Sequence, residues 1–287
     1  MSTDSSQRFI FENRDIRGQL VHLNTSFEEV LNNHAYPEAV AQLLGEFLAA
    51  SVLLSSTLKF EGRLVMQVRS KGEVPLLMAE ATHDSQIRAI ARMEADLTSN
   101  EFGALLKDGT LVVSVEPKHG ERYQSLVPLI GADLAQCLKH YFNQSEQLST
   151  FIKLTANQHS AAGILIQQLP RDLVQDLTLR EDHWQHAIIL AQTGKQDELL
   201  ELDNEQLLLR LYVDDELKLF DSKPVVFKCS CSDERTARAL MMVETDELDS
   251  MFDETPTLEM LCEFCQKKYL FTRQSLSEIL SDSAIKH

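Results

Sequence analysis

Val40, Leu43, Leu44, Phe47, Leu48 and Val52 recur at three- and four-residue spacing, the pattern of a helix burying one stripe. Tyr36-Pro37-Glu38 opens the stretch, and proline suits a first helical turn, where no backbone donor is required. Strand-like patterns follow. Leu64-Val65-Met66-Gln67-Val68 alternates, Lys71-Gly72 marks a turn, and 74–81 predicts a returning strand. Leu111, Val113 and Val115 alternate with Val112, Ser114 and Glu116, and 123–129 forms another short run. A second helix is predicted over 133–147, with Asp133 near its N-cap. Phe151-Ile152-Lys153-Leu154 and Gly163-Ile164-Leu165-Ile166 read as further strands. Several hairpins with interspersed helices predict an α+β fold with antiparallel sheets rather than a doubly wound one.

The pattern changes from Pro170 to about Lys223. Trp184, Ala187, Ile188 and Ala191 share a helical face, and Leu207, Leu208 and Leu211 continue the apolar theme. A plain tether would be rich in Gly, Ser or Pro. This segment carries the only tryptophan and many leucines, so it must cover apolar surface. It is either a permanent helical subdomain or a detachable cover over the body. Three parts are expected: an α+β body over 1–170, a helical linker over 171–225 and a small metal-binding domain over 226–287.

The chain has 287 residues, 44% hydrophobic and 25% charged, ordinary for a globular protein with room for a large core. No apolar run approaches the roughly 20 residues that cross a bilayer. Met1-Ser2-Thr3-Asp4-Ser5-Ser6 has neither a basic region nor an apolar core, so no signal peptide is expected. Net charge is −17, whereas nucleic-acid binding draws its affinity from basic side chains on phosphates. Residues 226–287 hold seven Lys and Arg against twelve Asp and Glu, which argues against a DNA-binding finger.

Cysteine usage adds the candidate chemistry. Four of five cysteines fall as Cys229-Ser230-Cys231 and Cys262-Glu263-Phe264-Cys265, with thirty residues between the pairs. Two close pairs joined by a long loop bring four thiolates to one tetrahedral zinc ion. With one intervening residue, the sulfurs of Cys229 and Cys231 can also bond to each other in a small ring. The site is thus a candidate switch as well as a staple. Four unrelated buried cysteines would rarely pair so tightly. A thioredoxin-type motif at Cys262 and Cys265 would need a strand before it, where an acidic stretch lies, and would leave the first pair unexplained. Free thiols without an export signal point to the reducing cytosol.

The string Phe227-Lys228-Cys229-Ser230-Cys231-Ser232-Asp233-Glu234-Arg235, with Cys262-Glu263-Phe264-Cys265 and Tyr269-Leu270-Phe271, resembles the 33 kDa heat-shock protein family, the redox-regulated holdase chaperones. The resemblance covers nearly the whole chain. It takes in Arg122-Tyr123-Gln124, Val127-Pro128-Leu129, Tyr141-Phe142, Ser145-Glu146-Gln147, 161–170 and Arg210-Leu211-Tyr212. Gln266, Val213 and Ser149 stand where the family commonly has glycine, histidine and proline; glycine after Cys265 would adopt a positive φ more cheaply. The resemblance implies a cytosolic chaperone that binds unfolding client proteins without ATP, inactive while reduced and zinc-bound. It implies that oxidants pair Cys229 with Cys231 and Cys262 with Cys265, that the middle segment becomes disordered, and that the active form is a homodimer. It implies no enzyme activity. The alternative is a zinc-stapled interaction adaptor without redox switching; a thiol oxidoreductase is a third class.

Other residues carry less. Cys137, within Leu134-Ala135-Gln136-Cys137-Leu138, reads as a small core residue. His183 and His186 flank Trp184 and read as a solvated helix face rather than a metal pair. Ser145-Glu146-Gln147 reads as a helix end or dimer contact. The acidic run over 244–254 reads as a solvated loop, because it lacks the ligand order and central glycine of a calcium loop. There is no glycine-rich phosphate cradle.

Overall fold

The computed structural model describes residues 4–57 and 61–284; Met1 to Thr3, part of the N-terminal stretch read above, lie outside the described residues. Contacts divide the chain into two compact units, Met1–Lys228 and Cys229–His287.

The first unit begins with β1 (Ser5–Phe11), β2 (Ile16–Leu23), α1 (Thr25–Leu31) and α2 (Glu38–Ser55). Next come β3 (Gly62–Arg69), β4 (Leu76–Thr82), β5 (Gln86–Arg92), α3 (Phe102–Leu105), β6 (Thr110–Pro117) and β7 (Tyr123–Pro128). After α4 (Leu134–Tyr141) and a π-helical turn (Phe142–Glu146) follow β8 (Thr150–Ala156) and β9 (Ala161–Gln168). Three helices, α5 (Leu177–Thr193), α6 (Gln196–Glu201) and α7 (Asn204–Leu211), precede the short strands β10 (Leu217–Leu219), β11 (Lys223–Pro224) and β12 (Val226–Phe227). The second unit holds α8 (Asp233–Leu240), α9 (Thr245–Glu254), β13 (Leu258–Leu261), β14 (Lys268–Phe271) and α10 (Arg273–Ala284).

Two six-stranded sheets build the first unit. One runs β10-β1-β2-β9-β8 with β11 also on β1, and the other runs β12-β5-β4-β3-β6-β7. All pairings are antiparallel except β12 on β5. The expected α+β class is what the structure shows. Helix α2 packs between the sheets and is buried on nearly every side. Among the described residues, it is the one helix long and apolar enough to cross a membrane, and that length is inside the fold. Gly45 permits the close approach: a Cβ there would lie 2.6 Å from Ala156 Cβ and 2.9 Å from the Phe27 ring.

Strand β9 is buried along almost its whole length because both faces of its sheet are covered. Leu165 joins Val21, Leu23 and the α2 side chains on one face. Ile164 and Ile166 join Phe9, Phe11, Ile16 and Leu20 on the other, where Trp184, Ala187, Ala191, Leu199, Leu207, Leu208, Leu211 and Tyr212 cover them. The apolar face read over 170–223 is therefore laid on this sheet. The Tyr212 hydroxyl donates to the Ala187 carbonyl at 2.9 Å and ties α7 to α5.

Two expectations are adjusted. The helix read over 133–147 keeps its Asp133 cap, which accepts from Gln136 N–H at 2.8 Å, but it widens to a π turn after Tyr141 and closes at Gln147 with φ 52°. The acidic run is no loop: it forms α9, because Leu248 and Phe252, four residues apart, face the small core while the acids face solvent.

Candidate metal centre

The four paired cysteines sit at two turns of the second unit. Cys262 and Cys265 occupy the tight loop of the β13–β14 hairpin, closed by Cys262 N–H to Lys267 O at 2.9 Å and Gln266 N–H to Cys262 O at 2.8 Å. Gln266 takes the left-handed conformation, φ 55°, where the sequence made glycine the cheaper residue. Cys229 and Cys231 lead into α8, whose cap is Ser232, accepting from Arg235 N–H at 3.3 Å. Arg235 then turns back and donates to Ser230 O at 2.9 Å and Ser230 Oγ at 2.7 Å, bracing the residue between the two cysteines.

The four sulfurs lie within 4.8 Å of one another, all half-buried. Cys229 Sγ is 3.6 Å from Cys262 Sγ, and Cys231 Sγ is 3.5 Å from Cys265 Sγ. A tetrahedral zinc–thiolate site with bonds of about 2.3 Å has edges of about 3.8 Å, so this donor set can hold such an ion. Among the described residues no other cluster of Cys, His, Asp or Glu is so placed.

Burial pushes the Cys229 and Cys265 thiols up. Burial also opposes the Cys231 thiolate, but donors around it, the Tyr269 hydroxyl first, outweigh that and bring it down to about 7. Thiolate is the form that binds metal and reacts with oxidants. The Tyr269 hydroxyl is buried and completes no hydrogen bond of ordinary geometry, yet its proximity to Cys231 raises its own pKa in turn. Neither Tyr269 nor Arg235 is singled out by spacing; an aromatic hydroxyl four residues past the last cysteine is the only signal available in the sequence.

The fifth cysteine is placed elsewhere. Cys137 is fully buried on α4 and accepts from Gly131 N–H at 3.3 Å, and burial raises its thiol, as suits a core residue. His183 and His186 do not converge on a metal: His186 Nε2 bonds Asp215 at 2.9 Å.

Fold and site together define an α+β protein with a four-thiol centre in a small separate unit. The family model for Hsp33 protein matches residues 4–272. The 33 kDa chaperonin of Pseudomonas aeruginosa PAO1 is 46% identical over 282 residues, covering 97% of this chain and 95% of that protein. The 33 kDa chaperonin of Pseudomonas savastanoi pv. phaseolicola is 44% identical over 286 residues, with 99% and 95% covered. The crystal structure of a 33 kDa chaperonin from Thermotoga maritima shares the fold, with a TM-score of 0.78 at 20% identity over 98% of this chain and 99% of that one. The chain belongs to the Hsp33 family.

Proposed function

We propose that this chain is a cytoplasmic, redox-regulated holdase chaperone that binds unfolding proteins under oxidative stress without ATP. The carrying observation is the convergence of four thiols, within 4.8 Å, in a unit whose own core is small. Relatives named chaperonins supply the protein class. Zinc, one ion per chain on Cys229, Cys231, Cys262 and Cys265, is the metal this donor set suits; when bound it would neutralise thiolate charge and cross-link the ends of the unit, worth about 10–16 kcal/mol.

Oxidation then acts on the sulfurs. In each of the pairs Cys229–Cys231 and Cys262–Cys265, two thiolates give up two electrons and join as a disulfide. Hypochlorous acid accepts those electrons and leaves as chloride and hydroxide. Disulfide sulfurs no longer act as ligands, and a core limited to Ala237, Leu240, Leu248, Phe252, Leu258, Tyr269, Phe271 and Leu276 does not hold sixty residues folded alone. Residues 171–225 are the linker that detaches in response, through the chain continuity between Cys229 and β12. Its departure bares Phe9, Phe11, Ile164 and Ile166 to clients, at about 25 cal/mol per Å² of apolar area. The active form pairs as a homodimer, and no catalytic step, nucleic acid or membrane enters.

The test measures bound zinc, free thiols and suppression of client aggregation before and after hypochlorite. One zinc lost together with four thiols, with suppression rising, is the expected result. Suppression equal in both states leaves the zinc-stapled adaptor instead, and peptide mapping that finds Cys229–Cys262 or Cys231–Cys265 bonds overturns the pairing.

A further inference from the structure

The turn joining β1 and β2 meets the α5–α7 layer through two adjacent opposite charges. Asp15 is buried, its side chain 4% exposed. Its carboxylate accepts the backbone N–H groups of Asp172 at 3.3 Å, Leu173 at 2.8 Å and Val174 at 3.2 Å. It also pairs with Arg180 of α5, which donates in addition to Leu169 O at 2.8 Å. Burial works against this charge, but the backbone donors and the Arg180 guanidinium prevail and hold the carboxyl below its ordinary range.

Arg14, one residue earlier, pairs at 2.7 Å with Asp215, 2% exposed, just beyond α7. Its guanidinium also lies 5.5 Å from the Phe11 ring, part of the covered face. Glu12 N–H to Glu216 O at 2.9 Å adds a backbone tie at the same place. One hairpin turn therefore grips the layer near both ends of its run: Asp15 at the entry to α5 and Arg14 at the exit from α7. A buried charge that loses a partner is destabilised. Asp215 also meets His186 Nε2 at 2.9 Å, so Asp15 is the stronger fastener of the two, and neither is a surface ion pair.

We propose that Arg14 and Asp15 are positioning residues that latch the α5–α7 layer onto the β1-β2-β9 face, so that breaking the latch opens the layer with the cysteines untouched. The chemistry falls outside the four-thiol centre, while the consequence for clients rests on the holdase reading above.

The experiment uses the full-length, reduced, zinc-loaded protein with Asp15→Asn. Hydrogen exchange over 177–211 is expected to quicken on the order of a hundredfold, with α2 amides still protected, all four thiols retained and client aggregation suppressed. Adding Arg180→Met, which removes the stranded guanidinium, is expected to restore part of the protection; a merely structural cavity would gain nothing from it. Exchange unchanged over 177–211 overturns the latch. Faster exchange without client suppression upholds the latch and counts against the holdase reading. Should Asp15→Asn lose α2 protection too, Arg14→Met and Asp215→Asn decide the matter by the same exchange readout.

Discussion

The two units of this chain reach stability by different means. The first wraps two sheets around α2 and fills both faces of one sheet, so its interior runs continuously from Phe27 through Leu53 to Val113. The second has a cluster centred on Tyr269 and Phe271, with half-buried Cys231 and Cys262 packed against it. One unit is held by apolar area, and in the other four sulfurs meet at a point where a metal ion could cross-link the chain. Apolar area responds to temperature and denaturant, whereas thiolates respond to oxidants. On the reading proposed above, oxidation would dismantle the second unit and leave the two-sheet body standing.

The largest test removes a thiol. Cys262→Ser is expected to lower zinc affinity by several orders of magnitude and to abolish amide protection over 229–284, a loss on the order of 10 kcal/mol. Amides of α2 should keep theirs. Protection retained in both units, read by hydrogen exchange, would remove the contrast.

A smaller effect belongs to the first unit. Glu46, on α2, is raised to about 7, by burial first and then by the charge of Asp133. A carboxyl raised on folding contributes fully below its unfolded value near 4.5 and loses that contribution as pH rises through about 7. Glu46→Gln is therefore expected to be more stable than the parent at pH 8, by about 2 kcal/mol, and equal to it at pH 4. Denaturant melts of the first unit at the two pH values check this; a gain that is the same at both would refute the assignment to titration.

The smallest effect returns to the hairpin. Gln266→Gly relieves left-handed backbone strain at φ 55° but adds freedom to the unfolded chain, for a net gain of about 0.5 kcal/mol. A roughly twofold rise in zinc affinity is the expected reading; a fall would show that the glutamine side chain contributes there.

Much of this architecture is legible in the sequence where apolar residues recur at the period of a helix or strand, as in α2, β3 and β6. It is illegible where polar residues are buried and satisfied by distant partners. Strands β1 and β2 carry buried Gln7, Gln19 and His22. Gln19 donates to Ser6 Oγ at 2.6 Å, and His22 meets Leu200 O at 2.7 Å. Such partners lie up to 213 residues away, as for Gln7 and Phe220 O, beyond the reach of any periodicity. The same holds for Asp15 and the backbone of 172–174. In α9, acids between Leu248 and Phe252 conceal the apolar pair. The cysteine cluster was legible because metal geometry constrains ligand spacing within each pair; Tyr269 was not, because a neighbour of the ligands obeys no fixed interval.

The α5–α7 layer leaves from β9 and returns at β10, two strands of the sheet it lies on. Its N-terminal end stays joined to β9 when it lifts, so on the holdase reading proposed above it would compete with clients for that face at a local concentration on the order of millimolar. Cargo present at far lower concentration would be displaced once the layer regains its helices, so unloading would need no nucleotide hydrolysis, only refolding of a tethered rival.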